Sequence, residues 1–265
     1  MISVALRDRG LGGEAWPRLP YGGPVEFLPA LRMTANLNAL ASGLTDAVRA
    51  AGAIRSDDVA HHVLDPESVL GLDPRTATDL AAALPVLVAG QEGWVLGLPT
   101  PGALLPLRGP RSLNEAALQA GQVVIASAGG VGLVPLRVGR AVQWRVYPAE
   151  RPFAPASPYE AERALNEAVL GAASALARLD LAAGARPRDR TGTQLAPGYS
   201  ARQAATANRS LYLLTACDQA LRDDGGSLSA YEADVRSRTL RAVRTAASQA
   251  LCTACSWIDA PSRHA

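Results

Sequence analysis

Three segments near the carboxy terminus of this chain open with the same device. Ser157-Pro-Tyr-Glu160, Ser200-Ala-Arg-Gln203 and Ser229-Ala-Tyr-Glu232 each put Ser three residues ahead of Glu or Gln. In such a capping box the Ser hydroxyl accepts the N–H three residues on, and that residue's side chain reaches back to the Ser N–H. Each cap stabilises a helix by about 1 kcal/mol. The apolar spacing behind the caps agrees. After Ser157, with Pro158 at the first helical position, Ala161, Leu165, Ala168, Val169, Ala172, Leu176 and Leu179 recur at helical intervals. The second helix is expected to run from Ser200 to near Asp224, and the third from Ser229 to about Trp257. Three helices with compact connections predict antiparallel packing of all three.

Ahead of Pro148 the period changes. Leu84–Val88, Trp94–Leu98, Ala103–Leu107, Val123–Ser127, Gly132–Val138 and Val142–Tyr147 read as strands. Ala128-Gly-Gly130 and Gly139-Arg140 supply turns, which predicts an antiparallel meander. Ser112-Leu-Asn-Glu115 reads as a further capping box, for a short helix stopping at Gly121. Upstream, Leu37, Leu40, Leu44, Ala47, Val48 and Ala51 predict one helix, capped by Thr34 and closed by Gly52. Ser56, Asp65-Pro66 and Asp73-Pro74 would open three short helical pieces, and Ile2–Leu6 and Val25–Leu28 short strands. The expected class is α+β. An antiparallel sheet of five or more strands with short helices occupies residues 1–150. A three-helix antiparallel region follows in 151–265, with the two parts either separate or packed as one fold.

Composition narrows the chemistry. All 26 basic residues are Arg, so no Lys exists to form a Schiff base, act as a general base or bind phosphate in a P-loop. A net charge of +2 is too small to imply nucleic acid. Residues 1–150 carry 12 Arg against 13 acids, and 151–265 carry 14 Arg against 11 acids, so the second part is mildly basic. Three Cys, an odd number, argue against a disulfide framework and for a reducing compartment. The first residues lack the pattern of a signal peptide, and no apolar run reaches about 18 residues. A cytoplasmic protein with no membrane span is expected. The Arg, Ala, Gly and Pro bias is that of a GC-rich bacterial genome.

Four clusters carry candidate chemistry. Ala128-Gly-Gly-Val-Gly132 is followed by a strand-like run, not by the helix a phosphate loop needs, so it reads as a turn. Asp57, Asp58, His61 and His62, if helical, would pair Asp57 with His61 and Asp58 with His62, giving at most half a metal site. Cys252 and Cys255 share a helix face without a second ligand pair, and Cys217 lies in an apolar stripe, so core packing is expected of all three. Arg is the remaining binding group. Arg186, Arg188 and Arg190 lie in a loop and Arg238 and Arg241 on the last helix. Arg108 and Arg111 precede the Ser112 helix, where an anion would also meet free N–H groups.

This poverty of catalytic groups leads to the first expectation. It is a non-catalytic regulatory or scaffold protein that binds another protein, or itself, with no cofactor and no metal. The alternative is an enzyme or ligand-binding protein with a site for an anionic small molecule between sheet and helices. A transcriptional regulator comes third, because no helix–turn–helix pattern with a basic second helix is present and nucleic acid is disfavoured.

Overall fold

Asn38 sits where the sheet ends and where the two parts of the chain join. The computed structural model describes residues 28–179, 192–222, 227 and 229–256. The elements are α1 (Leu28–Ala41), α2 (Ala47–Arg55), β1 (His61–Leu64), β2 (Thr78–Asp79), α3 (Leu80–Val88), β3 (Trp94–Gly97), α4 (Arg111–Ala120), β4 (Val123–Ala126), β5 (Gly130–Val138), β6 (Ala141–Ala149), α5 (Pro158–Ala177), α6 (Ala201–Ala220) and α7 (Ala230–Ser256).

The class is α+β, but the sheet is mixed. Its order is β2-β1-β6-β5-β4-β3. The run β3 to β6 is the expected antiparallel meander, with Gly139-Arg140 as its hairpin turn and Gly139 at φ +61°. β1 then joins β6 in parallel, His61 opposite Val142 and Leu64 opposite Arg145.

Several local expectations are overturned. The single helix over 34–52 is two: Gly43 at φ +68° closes α1, and Asp46 accepts the Arg49 N–H to cap α2. Thr34 is inside α1, its hydroxyl donating to the Ala30 carbonyl. Of the Val25–Leu28 strand, Leu28 is helical and the rest lies outside the described residues, as does Ile2–Leu6. No helix opens at Ser56, Asp65 or Asp73. Asp65 is fully buried and accepts N–H groups of Val69, Leu70 and Leu72, fixing a turn instead. Residues 84–88 belong to a helix that starts at Leu80 behind Asp79, whose carboxylate accepts the Ala81 N–H. Leu80, Ala83, Leu84 and Leu87 are the buried face of that helix. Residues 103–107 form turns, with one bridge from Thr100 to Ala103. The capping box at Ser112 is absent: Pro110 precedes α4, and Glu115 pairs with Arg111.

The caps of the last three helices form as expected. Ser157 and Ser200 make complete capping boxes, and Ser229 Oγ accepts the Glu232 N–H. Their directions do not all alternate. Glu162 of α5 meets Arg202 and Thr206 of α6, and Asn166 meets Arg209, so α5 and α6 run parallel. At the far end Ala172, Cys217 and Val243 cluster, which makes α7 antiparallel to both. A 20-residue helix is about 30 Å long. The chain between Ala177 and Ala201 is long enough to permit a parallel pair.

Two apolar layers flank the sheet. One face carries Val63, Trp144, Val146, Leu133, Val124, Trp94 and Leu96 into a single core with α1, α3 and the inner sides of α5, α6 and α7. The other face buries Val123, Ile125, Val134 and Tyr147 under α4 and Leu107. Gly132 lies beneath Leu113 of α4, where a Cβ would come within 2.9 Å of Cδ1.

At the β3 edge side chains replace a neighbouring strand. Asn38 Oδ1 accepts the Trp94 N–H at 2.7 Å and Asn38 Nδ2 donates to the Trp94 carbonyl at 3.0 Å. Ser256 Oγ accepts the Leu96 N–H at 3.1 Å. Asn38 Nδ2 also lies 3.2 Å from the Cys255 carbonyl and from Tyr199 Oη, and the Tyr199 hydroxyl donates to the same carbonyl. One amide thus joins α1, β3, the segment before α6 and the end of α7, and satisfies backbone groups that an edge strand leaves open.

Candidate functional site

The cluster richest in catalytic residue types surrounds His61, and the turn and strand that hold it differ from the helix expected there. Asp57 is exposed in the turn after α2, Asp58 is largely covered, and His61 and His62 point to opposite faces of β1. Asp58 meets His61, not His62: Asp58 Oδ2 to His61 Nε2 is 3.0 Å. Trp144 Nε1 lies 3.2 Å from His61 Nδ1, and Arg137 Nη1 2.9 Å from Asp58 Oδ1. An indole N–H can only donate, so Nδ1 accepts and Nε2 carries the proton given to Asp58. Burial lowers the His61 pKa, and the Arg137 and Arg32 guanidiniums act in the same direction against the Asp58 carboxylate. Burial pushes Asp58 up, but hydrogen bonds from His61 and Arg137 outweigh it and hold the carboxyl below its ordinary range.

Both ring nitrogens of His61 are therefore engaged inside the protein. The relay Trp144–His61–Asp58–Arg137 fastens the turn before β1 onto β5 and β6. Neither nitrogen is open to a substrate or a metal while the relay holds. Among the described residues no group of three or more His, Cys, Asp and Glu side chains is placed to hold a metal ion. Trp144 and Arg137 were not singled out from sequence, because 83 and 79 residues separate them from their partners.

The cysteines are interior. Cys255 is fully buried and Cys252 packs against the same core, while Cys217 joins Ala172 and Val243. Burial pushes the Cys217 thiol up to about 11 and the Cys252 thiol up to about 12, and raises Cys255 too. These are thiols at neutral pH, not nucleophilic thiolates.

The Arg candidates disperse. Arg111 is exposed and paired with Glu115 at 2.6 Å, and the exposed Arg108 stacks over Phe153, 4.7 Å from the ring centroid. Arg238 pairs with Asp234 one turn away, while Arg241 is exposed. Arg236 donates to the Ala220 carbonyl and Arg244 to Asp218, so part of the basic face of α7 is turned onto α6. Arg186, Arg188 and Arg190 lie outside the described residues. A shallow cleft of about 520 Å3, lined by Thr193, Gln194, Leu195, Tyr199, Ser200 and Asn208, opens at the start of α6.

One surface remains, and it was not anticipated. Residues 132, 134, 136 and 138 of β5 share the face that α4 covers, but α4 stops short of the hairpin. Leu136 and Val138 are 57% and 56% exposed there. Opposite them in register lie Gln143 and Ala141, then His62 across the parallel pair, with Arg145 opposite Val134. A signal existed in the sequence: the alternation in Val134-Pro-Leu-Arg-Val138 continues past the point where a ten-residue helix could cover it.

No helix among the described residues is long and apolar enough to cross a membrane. Residues 19–161 match the family described as Rv1486c-like protein, N-terminal domain, and residues 159–252 match Rv1486c-like protein, C-terminal domain. No curated protein and no solved structure matches the chain. With more than half its length inside the first of these matches, the chain belongs to the Rv1486c-like protein family.

Proposed function

We propose that this protein is a non-catalytic regulatory or scaffold module that works by protein–protein contact. The observation that carries the reading is the end of the sheet that no described element covers, where Leu136 and Val138 stand exposed on a regularly paired hairpin. Isolated exposed apolar side chains are ordinary, but neighbouring ones on an uncovered sheet face mark contact surfaces. The inward commitment of His61 and of the cysteines supports the same reading, since the groups best suited to catalysis serve the fold. The helical Arg set contributes less than its sequence suggested, because Arg238 and Arg244 are answered within the chain.

Co-purification tests the proposal. Tagged full-length protein is expressed in its native host beside the Leu136→Ser/Val138→Ser double variant. A protein retained at defined stoichiometry by the first and lost by the second is the expected result. Equal retention by both, or stabilisation by an anionic metabolite with no retained protein, would overturn it.

A further inference from the structure

The uncovered sheet face has an apolar centre and a positive margin. Leu136 and Val138 form the centre. Arg145 lies diagonal to Leu136 across the hairpin, opposite Val134 on the same face. It is exposed, and its guanidinium stands 5.3 Å from the centroid of the Tyr147 ring. Arg140 is exposed at the hairpin tip. Neither Arg forms an ion pair among the described residues. Asp79, opposite His62 in β2, caps the Ala81 N–H at the start of α3 and lies three strands away from Leu136 in β5. The neighbouring Arg137 is turned to Asp58. Among the described residues, the face therefore presents cations without a paired carboxylate, next to exposed apolar side chains.

That pairing selects its occupant. A segment with apolar side chains and carboxylates interspersed answers both halves at once. A nucleic acid would engage the guanidiniums but leave Leu136 and Val138 against water, with no aromatic platform exposed between them. A second copy joined across a twofold axis would bring Arg140 and Arg145 toward their own counterparts, a like-charge contact. Building on the contact function proposed above, we infer that the β1-β6-β5 outer face binds an acidic, amphipathic segment of a partner protein. Its apolar side chains lie on Leu136 and Val138 and its carboxylates on Arg145 and Arg140.

Fluorescence anisotropy on the full chain tests this with three labelled peptides of one apolar pattern, carrying Glu, Gln or Lys at the polar positions. The Glu peptide is expected to bind at least about tenfold more tightly than the Gln peptide, a preference of the size a pair of charge contacts supplies. Arg140→Glu/Arg145→Glu should invert the preference toward the Lys peptide. Leu136→Ser/Val138→Ser should abolish binding of all three. All four side chains are exposed, so each variant should keep the parent's circular dichroism and melting temperature, which is checked first. Equal binding of the Glu and Gln peptides, binding that survives the loss of Leu136 and Val138, or tighter binding of a duplex DNA probe overturns the inference. So does a dimer in sedimentation that the Leu136/Val138 change dissolves. A partner that co-purifies through this face while the peptides show no charge preference would overturn the acidic segment and leave the contact function standing. Loss of both would remove both.

Discussion

Replacing Asn38 by Ala should cost this fold a large part of its stability. Asn38 is 5% exposed and its amide holds the Trp94 N–H and C=O and reaches Tyr199 Oη and the Cys255 carbonyl. Cys255 keeps its bond from Tyr199, so the variant orphans two backbone groups, both on the fully buried Trp94. A buried group left without a partner costs about 1–3 kcal/mol, so the loss is roughly 2–6 kcal/mol, centred near 4. That is a large share of the roughly 5–15 kcal/mol that holds a typical domain folded. Asn36 is the control. It is on the same helix and equally buried, but its Nδ2 donates only to the Arg32 carbonyl one turn back, so Asn36→Ala should cost about 1 kcal/mol. Tyr199→Phe should fall between them and be non-additive with Asn38→Ala, since the two side chains share partners. Urea unfolding followed by circular dichroism and by tryptophan fluorescence gives all three values. If Asn38→Ala falls within about 1 kcal/mol of Asn36→Ala, the amide is not closing the sheet edge and the reasoning fails.

The relay at His61 gives a pH dependence. A His held below its ordinary value when folded lets the unfolded chain bind more protons, so stability falls as pH drops below about 6.5, by at most about 1.4 kcal/mol per unit. Asp58 acts in the same sense, in the carboxylate range below it. Urea midpoints between pH 7.5 and 4.5 should decline for the parent and decline less for His61→Asn; parallel curves would show that His61 does not resist protonation. Helix caps should separate real from apparent boxes: Ser157→Ala and Ser200→Ala each lower stability by about 1 kcal/mol, whereas Ser112→Ala, inside α4, changes it little. Gly129→Ala would place Cβ 2.7 Å from the Arg151 backbone nitrogen at φ +86°, and should cost about 2–4 kcal/mol. Gly130→Ala, with the same φ and open space, should cost about 1 kcal/mol. Urea unfolding of the pair reads the difference. An aromatic disulfide reagent at pH 8 should label neither Cys217 nor Cys255 until urea is added; prompt labelling of folded protein would contradict their burial.

What the sequence disclosed was local. The boxes at Ser157 and Ser200, the Ser229 cap, the turn at Gly139-Arg140 and the αL stop at Gly121 are set by neighbours within a few residues, and they formed as read. The errors were of two kinds. Leu80–Val88 is apolar throughout, so it carries no period from which to tell helix from strand. The Asp79 cap was the one usable hint, and Pro85 obscured it. His61–Leu64 reads as a helix continuing from the acids before it, yet it is a strand because β6, some eighty residues later, pairs with it. Parallel pairing and the parallel run of α5 and α6 are decided by such distant contacts. The same limit governs the site. Asp58 and His61 were found together, three residues apart, but the groups that fix their role, Trp144 and Arg137, come from the far hairpin. Asn38 was missed because its partners lie 56 to 217 residues away. The outer face was missed because exposure of Leu136 depends on how far α4 reaches.

Whether the hairpin face touches another protein decides the contact function most directly. A photo-reactive amino acid placed at Val138 in the native host, with a parallel sample at Leu170 on the exposed side of α5, measures this. A discrete protein adduct from position 138 and none from position 170 is the predicted result. No adduct from 138, or the same adducts from both positions, would contradict the contact function.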